Sequence, residues 1–499
     1  MRAAATLACL LLLAATGAGQ EAAQPPAPSQ AEGLTLDDAI RLALANNRSI
    51  KVDAYSRTIA RANLLAAHGQ FDPAITFSRS YSESYTSTLT TADSGFLPPA
   101  TLIQADNYAL ALEGIMPWGL TYSIGGTSQN QRGTYNGFAN NFQTFGGIQV
   151  RQPLLRGFGL GANLLNVRIA KADRAISDWQ YRQTVIDTVT RVVIAYSNLS
   201  LMYEYLSTAQ RTRDGAARLL AENEKRFKVG SISANDVTSA RARTALREQS
   251  VLVAEQAVRD SDNQLRALMG ESSFANDGPL LTIAPAVVPE IDVQAARDLQ
   301  KAYAQRPDYQ QARLALDKSR YNASAAVNQM LPQVNFVGSY GYAGQGSSLE
   351  ASRRMVSDRD NRYYSAGVEV SVPITFAAGR GKARAARLQR LQAEAGVRRL
   401  EEDIALNVAA AANQIETTRK RVAATHAARE LNEQLLQAEL TRLQAGTGST
   451  FNVLYQQDLL SQADSQYFQA LADQRQAAAT YEQVIGTTLE DYHITLTDK

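Results

Sequence analysis

A few stretches of the sequence carry residue types that could do chemistry. Gly157-Phe158-Gly159-Leu160-Gly161 precedes a helix-forming stretch, where backbone N–H groups could cradle a phosphate. It lacks the spacing of a nucleotide-binding loop and any strand–helix–strand context, so it reads as a strand-to-helix turn. Gly379-Arg380-Gly381-Lys382 reads as a matching turn and also lacks the nucleotide-loop pattern. Glu401-Glu402 could be a carboxylate pair for acid–base work, but on a long helix a solvated face is the expectation. His68, His426 and His493 are scattered, and Cys9 is the single cysteine. A Cys/His zinc site and a Ser/His/Asp triad are thereby excluded. The sequence therefore offers no catalytic residue, no metal set and no cofactor site.

The elements around these residues say more. The chain has 499 residues, 50 Lys+Arg and 48 Asp+Glu, for a net charge of +2. That balance argues against a nucleic-acid partner, which a basic face or tail would serve. Arg2, the apolar run Ala3–Ala15 and the small residues Thr16–Gly19 read as a signal peptide over 1–19, followed by a Pro-rich linker over 20–34. Cys9 lies inside the apolar run and is poorly placed for lipid attachment, so the mature chain is expected to hold no cysteine. Beyond residue 19 no apolar run reaches the ~18 residues of a spanning helix.

Two halves share one plan. Arg226-Phe227-Lys228-Val229-Gly230 matches Arg442-Leu443-Gln444-Ala445-Gly446 at a separation of 216 residues, and Val237/Val453 and Gly270/Gly486 keep that separation. Pro73 with its neighbours matches Pro332 at 259, and Pro153 matches Pro373 at 220, so the first half carries about 39 extra residues between its prolines. The organisation expected is a first repeat over 35–270 with strands near 71–153, a linker over 271–290, a second repeat over 291–486 with strands near 333–373, and a tail over 487–499.

Within each repeat the breakers separate two kinds of structure. All 14 prolines are absent from 163–229, 235–269, 382–445 and 451–485, stretches rich in Ala, Leu, Gln, Arg and Glu. The first would span ~100 Å as one helix. Its apolar residues recur by threes and fours, from Leu165, Ile169, Ala172, Ile176 and Trp179 to Val185, Val189, Val192, Tyr196, Leu199, Tyr203 and Leu206, as in a coiled-coil seam. Val229-Gly230 and Ala445-Gly446 should end the long helices, with Asn235 and Ser449 capping the returning ones. By contrast, 71–161 and 333–381 hold 19 of the 31 glycines and alternate with period two. Ile75, Phe77, Tyr81 and Tyr85 oppose Thr76, Ser78, Ser80, Ser82 and Ser84; Phe336, Tyr340 and Tyr342 repeat the pattern; Tyr364, Ala366, Val368, Val370 and Val372 oppose Ser365, Glu369 and Ser371. So few strands at the ends of such long helices have no core to cover. A lipid-facing barrel closed by several chains fits better than a soluble sandwich.

Leu34-Thr35-Leu36-Asp37-Asp38-Ala39-Ile40-Arg41-Leu42-Ala43-Leu44-Ala45-Asn46-Asn47 resembles the opening of the TolC-like outer membrane efflux proteins. Gln149-Val150-Arg151-Gln152-Pro153-Leu154-Leu155-Arg156-Gly157 and the tip at Arg226–Gly230 with Asn235-Asp236-Val237 are similar too. The resemblance covers almost the whole mature chain. It implies an α+β membrane protein: a homotrimer joining a transmembrane β-barrel in outer-membrane lipid to a long α-helical barrel in the periplasm. It further implies the exit duct of a tripartite efflux pump or type I secretion system, with a periplasmic adaptor protein and an inner-membrane transporter as partners. The adaptor would dock at the tips Val229, Gly230, Ser231, Ala445, Gly446 and Thr447. The family's second tip often carries an Arg and two Asp that help close the periplasmic aperture. Gly448, Asn452 and Tyr455 stand at those positions here, and Asp236 keeps the first-tip Asp, so these four are the aperture candidates. A trimeric adhesin-type anchor would need a long passenger that the gaps between strands do not supply.

The insert of the first half also has a strand pattern. Tyr108, Leu110, Leu112 and Leu120, Tyr122, Ile124 alternate around the turn Pro117-Trp118-Gly119. Strands over 108–114 and 120–126, with 88–106 and 130–141 as outer loops, would give four strands from the first half and two from the second. The trimer would then hold 18 strands rather than the family's 12.

Overall fold

A computed structural model of the chain describes residues 33–86, 101–270, 280 and 291–496. The expected signal peptide, most of both expected linkers and part of the expected 88–106 loop lie outside these residues. Helix α1 (Leu36–Asn46) is capped by Thr35 and passes through Asn47 into α2 (Arg48–His68), which leads to strand β1 (Ala74–Thr86). Strands β2 (Thr101–Ile115), β3 (Thr121–Gly133) and β4 (Phe142–Pro153) follow, then the short turn helix α3 (Leu160–Asn163) and the 64-residue helix α4 (Leu165–Lys228). Helix α5 (Ala234–Met269) runs back. The second half comprises α6 (Ala295–Gln305), α7 (Pro307–Met330), β5 (Gln333–Gly346), α8 (Leu349–Ser357), β6 (Arg362–Ser371), the 68-residue α9 (Ala377–Gln444), α10 (Thr450–Ile485) and α11 (Thr488–Asp491).

The strands form one antiparallel sheet in the order β1-β2-β3-β4-β5-β6, each paired with its sequence neighbour. Residues 108–126 lie inside this ladder, so four strands come from the first half and two from the second. The strands are longer than their apolar alternation indicates. β2 begins at Thr101 and β3 continues to Gly133, because polar residues there still find backbone partners, as in Gln104 opposite Arg132. The β3–β4 loop is correspondingly confined to 134–141.

The helices stand in rows. On the sheet side the row is α2-α4-α7-α9, and on the far side it is α5-α4-α10-α9. The packed core lies between, where α1, α6 and the ends of α5 and α10 converge on the middle of the long helices. Val185, Val189, Val192, Tyr196 and Leu199 of the expected seam are buried there. Ile186 and Val193 are buried as well, because α1 and α11 cover a second face of α4. A second cluster gathers Ile404, Val408 and Ile415 of α9 with Tyr481 and Ile485 of α10. The other seam residues are half-buried apart from buried Ala172, and the outermost helices of each row expose large apolar side chains, including Ile59 and Leu65 on α2, Leu252 on α5 and Leu406 on α9.

Two local expectations change. Ser233, not Asn235, caps α5: its hydroxyl accepts from Asp236 N while Asp236 accepts from Ser233 N, a reciprocal box that outcompetes a cap two residues later. Gly379–Lys382 is not a turn but the first turns of α9, which starts after Phe376 in a left-handed conformation. A Cβ at Gly379 would press on Met330 at 3.2 Å, so the glycine lets α9 and the end of α7 approach.

Within the packed waist, Glu482 has an enclosed Oε2 with no hydrogen-bond partner. Burial, and then the nearby Asp491 carboxylate, push its pKa from 4.5 up to about 7. A raised folded-state pKa means the native state holds this proton more tightly than the unfolded chain. Its stabilisation is full below about pH 4.5 and is lost as pH rises through 7. Glu482→Gln should therefore raise the thermal midpoint at pH 8, by the equivalent of about 3 kcal/mol at most, and change little near pH 4.5. Unfolding curves across that range check it.

Candidate functional site

Each strand sends alternate side chains to opposite faces, and the ladder registers these into two chemically distinct surfaces. Ile75, Leu112, Ile124, Ile148, Tyr340 and Tyr364 form one cross-strand row of the apolar face. The other face is mostly Ser, Thr, Gln, Ala and Gly with a few charges, and includes Phe145, Val337 and Tyr363. This polar face is concave, lining a groove with Glu113, Ser123, Gln149, Arg151, Ser339 and Glu369. Arg151 Nη2 lies 2.8 Å from Glu369 Oε2, reaching over β5, and Ser123 Oγ donates to Glu113 at 3.3 Å. Such a surface suits water and polar solutes and holds no convergent acid–base set.

The turn Met116–Gly119 faces the helices. Gly159 N donates to the Trp118 carbonyl at 3.1 Å, and Asn163 Nδ2 donates to the carbonyls of Gly157 and Gly159. Gly157 N donates to Asn328 Oδ1 at 2.8 Å. The Gly157–Gly161 loop thus serves as a joint between sheet and helix, with N–H groups of Gly157 and Gly159 bonded within the chain instead of pointing at an anion. Glu401 is an anchor, accepting from the Tyr309 hydroxyl at 2.8 Å, and Glu402 is exposed. His68 bonds the Leu64 carbonyl, His426 packs edge-on to Tyr467, and no His/Cys/Asp/Glu group that could hold a metal occurs among the described residues.

At the opposite end the long helices turn back. Gly230 and Gly446 adopt φ of +75° and +74°, a region glycine occupies without steric cost. Ser231 N donates to the Arg226 carbonyl and Thr447 N to the Arg442 carbonyl, so both tips close with the same geometry. Val229 is 77% exposed at the first tip. The hairpins stand side by side: Arg243 Nη1 lies 2.5 Å from Asp458, and Arg247 pairs with the same carboxylate. The Asp236 carboxylate is held by Ser233, its hydroxyl at 2.8 Å. Gly448 approaches Leu443 N so closely that a Cβ would stand 2.8 Å away. Asn452 N is capped by Ser449, and Tyr455 stacks on Phe451 at 6.5 Å with both rings more than half exposed. Phe451 was invisible to motif reasoning; its i, i+4 spacing to Tyr455 is the signal that finds it.

The sequence model described as Outer membrane efflux protein matches residues 105–271 and 299–487, most of the chain. The chain belongs to that family. It is thus a TolC-like protein of the outer membrane that extends into the periplasm. The alkaline protease secretion protein AprF of Pseudomonas aeruginosa is 24% identical over 207 residues, 41% of each chain. The outer membrane protein TolC of Vibrio cholerae is 25% identical over 198 residues, 40% of this chain and 44% of that one. In the match the chain spans about two fifths of the length of these curated relatives. The Campylobacter jejuni CmeC outer membrane channel shares the fold with a TM-score of 0.67 at 16% identity, over 91% of this chain and 86% of that one. No described helix is long and apolar enough to cross a membrane.

Gly446→Val or Gly230→Val should strain a left-handed position by about 1–2 kcal/mol. Limited proteolysis should then cleave faster at the mutated tip, while insertion into membranes stays at the level of the unmodified channel.

Proposed function

We propose that three copies of the chain form a continuous duct, the exit conduit of a tripartite efflux pump or type I secretion system. The observation that carries the reading is the sheet: an apolar convex face, a polar concave face, and two edge strands, β1 and β6, with unpaired outer backbones. In hydrocarbon such edges must pair, and six strands are too few to enclose a channel. Joining β6 of one copy to β1 of the next gives a barrel of 3 × 6 = 18 strands. The same operation joins α9 of one copy to α2 and α5 of the next, covers the apolar side chains left on those margins, and makes a ring of 3 × 4 helices. The two halves of the chain are read as copies of one repeat, the first enlarged by the β2–β3 hairpin.

The duct performs no chemistry of its own. Solutes enter at the tips, where Val229, Gly230, Ser231, Ala445, Gly446 and Thr447 receive a periplasmic adaptor coupled to an inner-membrane transporter. Asp236, Gly448, Asn452 and Tyr455 border the aperture, whose chemistry is aromatic and amide in character, with Asp236 drawn into its cap. AprF is by name a secretion protein and the family model is an efflux family, so both cargo classes stay within the reading.

Mass measurement in mild detergent should give three chains, and planar bilayers containing the purified protein should conduct. A monodisperse monomer, or insertion without conductance as a structural anchor would show, counts against the duct. A Gly137→Cys variant should be labelled from outside intact cells, and Trp118→Cys should not, because the β2–β3 turn lies on the helix side. Efflux or secretion should fall in Gly446→Val while conductance persists.

A further inference from the structure

The link between β5 and β6 has no part in the duct reading, and its position is specific. Helix α8 does not cover the mouth of the groove; it lies on the convex apolar side of the sheet. Ser352 is fully buried, with its Oγ 2.8 Å from Thr144 Oγ1, which lies 2.9 Å from Ser128 Oγ. Thr144 and Ser128 share the face of Ile148 and Ile124. Three glycines make the seat. A Cβ at Gly344 would strike the Ser352 carbonyl, one at Gly346 would stand 3.0 Å from Ala351 Cβ, and one at Gly146 would stand 2.9 Å from Val356 Cγ1. Helix backbone therefore rests almost directly on sheet backbone, immediately beyond the apolar row of Ile148 and Tyr340. In an outer-membrane barrel this is the boundary between hydrocarbon and headgroups on the outer side.

The cations at this level are unusual in kind. Residues 71–161 and 333–376 contain eight arginines and no lysine, and four of the eight are Arg353, Arg354, Arg359 and Arg362. Arg354 lies 3.2 Å from Glu350, and Arg359 stacks 6.0 Å above the Tyr342 ring. Arg353 and Arg362 are exposed and have no ion-pair partner among the described residues. The acidic residues of 349–362 are Glu350, Asp358 and Asp360, leaving one net positive charge in this segment. Arginine holds its charge at an interface and can offer two parallel N–H donors to one phosphate.

We propose that α8 is a cuff on the outer wall of the barrel, and that Arg353 and Arg362 bind the phosphate groups of a multiply phosphorylated outer-leaflet glycolipid. This rests on the barrel reading above. The glycine seat fixes the helix, the tyrosines beneath it occupy the interfacial zone, and the two unpaired guanidinium groups meet the headgroup phosphates.

The test uses the assembled protein in phosphatidylcholine nanodiscs doped with bis-phosphorylated lipid A or with its dephosphorylated form, and bound lipid is counted by native mass spectrometry. The unmodified protein should retain the phosphorylated glycolipid and bind the dephosphorylated form poorly. Arg353→Ala/Arg362→Ala should lower the apparent affinity for the phosphorylated form roughly tenfold. Millimolar inorganic phosphate should not displace the lipid. Equal retention by the double variant, equal binding of the dephosphorylated lipid, or displacement by inorganic phosphate would each overturn the cuff. A double variant that still conducts in planar bilayers yet keeps its lipid sinks this proposal alone. Unmodified protein that never inserts sinks the barrel reading and the cuff with it.

Discussion

On the proposed barrel, the rule that governs the other elements is that a backbone N–H or C=O inside hydrocarbon must have a partner. Within the chain, β2 to β5 satisfy it completely, because each is bonded on both sides. β1 and β6 satisfy it on one side only. A free sheet with such edges would aggregate in water and could not be stable in lipid. In the proposed trimer the remedy comes from outside the chain, where a repeated β6–β1 junction would close the ring without adding an element. The helical rows obey the same logic in a weaker currency. Their margins expose leucine, isoleucine and valine in place of unpaired amides, and burial of those side chains adds to the drive for closure.

Stability and function are separated along the long axis. The apolar core sits at the waist, where short helices brace the middle of α4 and α9. The sheet contributes little burial of its own within a single chain. The tips hold few buried residues beyond Val453 and Leu454, and they are joined by the exposed-side pairs of Arg243 and Arg247 with Asp458. Local opening draws on regions with few buried apolar contacts. In the proposed duct, a braced waist with lightly fastened tips would let the aperture change width without disturbing the sheet end.

Much of this was legible in the residues. Proline absence delimited α4, α5, α9 and α10 to within a few positions, since proline inside a helix is so unfavourable that its absence over 60 residues is informative. Gly230 and Gly446 announced both tips because a left-handed reversal selects for glycine. Strand parity revealed the two faces. The misses share a cause: they depend on competition between neighbouring groups. Asn235 is a good cap in isolation, yet Ser233 with Asp236 three residues later satisfies two groups at once. Glycine disfavours helix in general, yet the close approach of Met330 explains Gly379 inside α9.

Helix α8 was the largest feature without a sequence signal, and the reason is instructive. Nine residues are too few for periodicity to establish a helix. What holds α8 is a seat assembled from Gly146 on β4 and from Gly344 and Gly346 on β5, two strands nearly two hundred residues apart in the sequence. Their coincidence exists only once register is known: Phe142 opposite Gly346 brings these glycines together, and a one-residue slip would send one strand's set to the other face. Register is itself fixed by the division of apolar and polar faces. The same alternation that separates the apolar face from the polar one therefore also decides where a helix can lie on the apolar side, and which arginines it presents there.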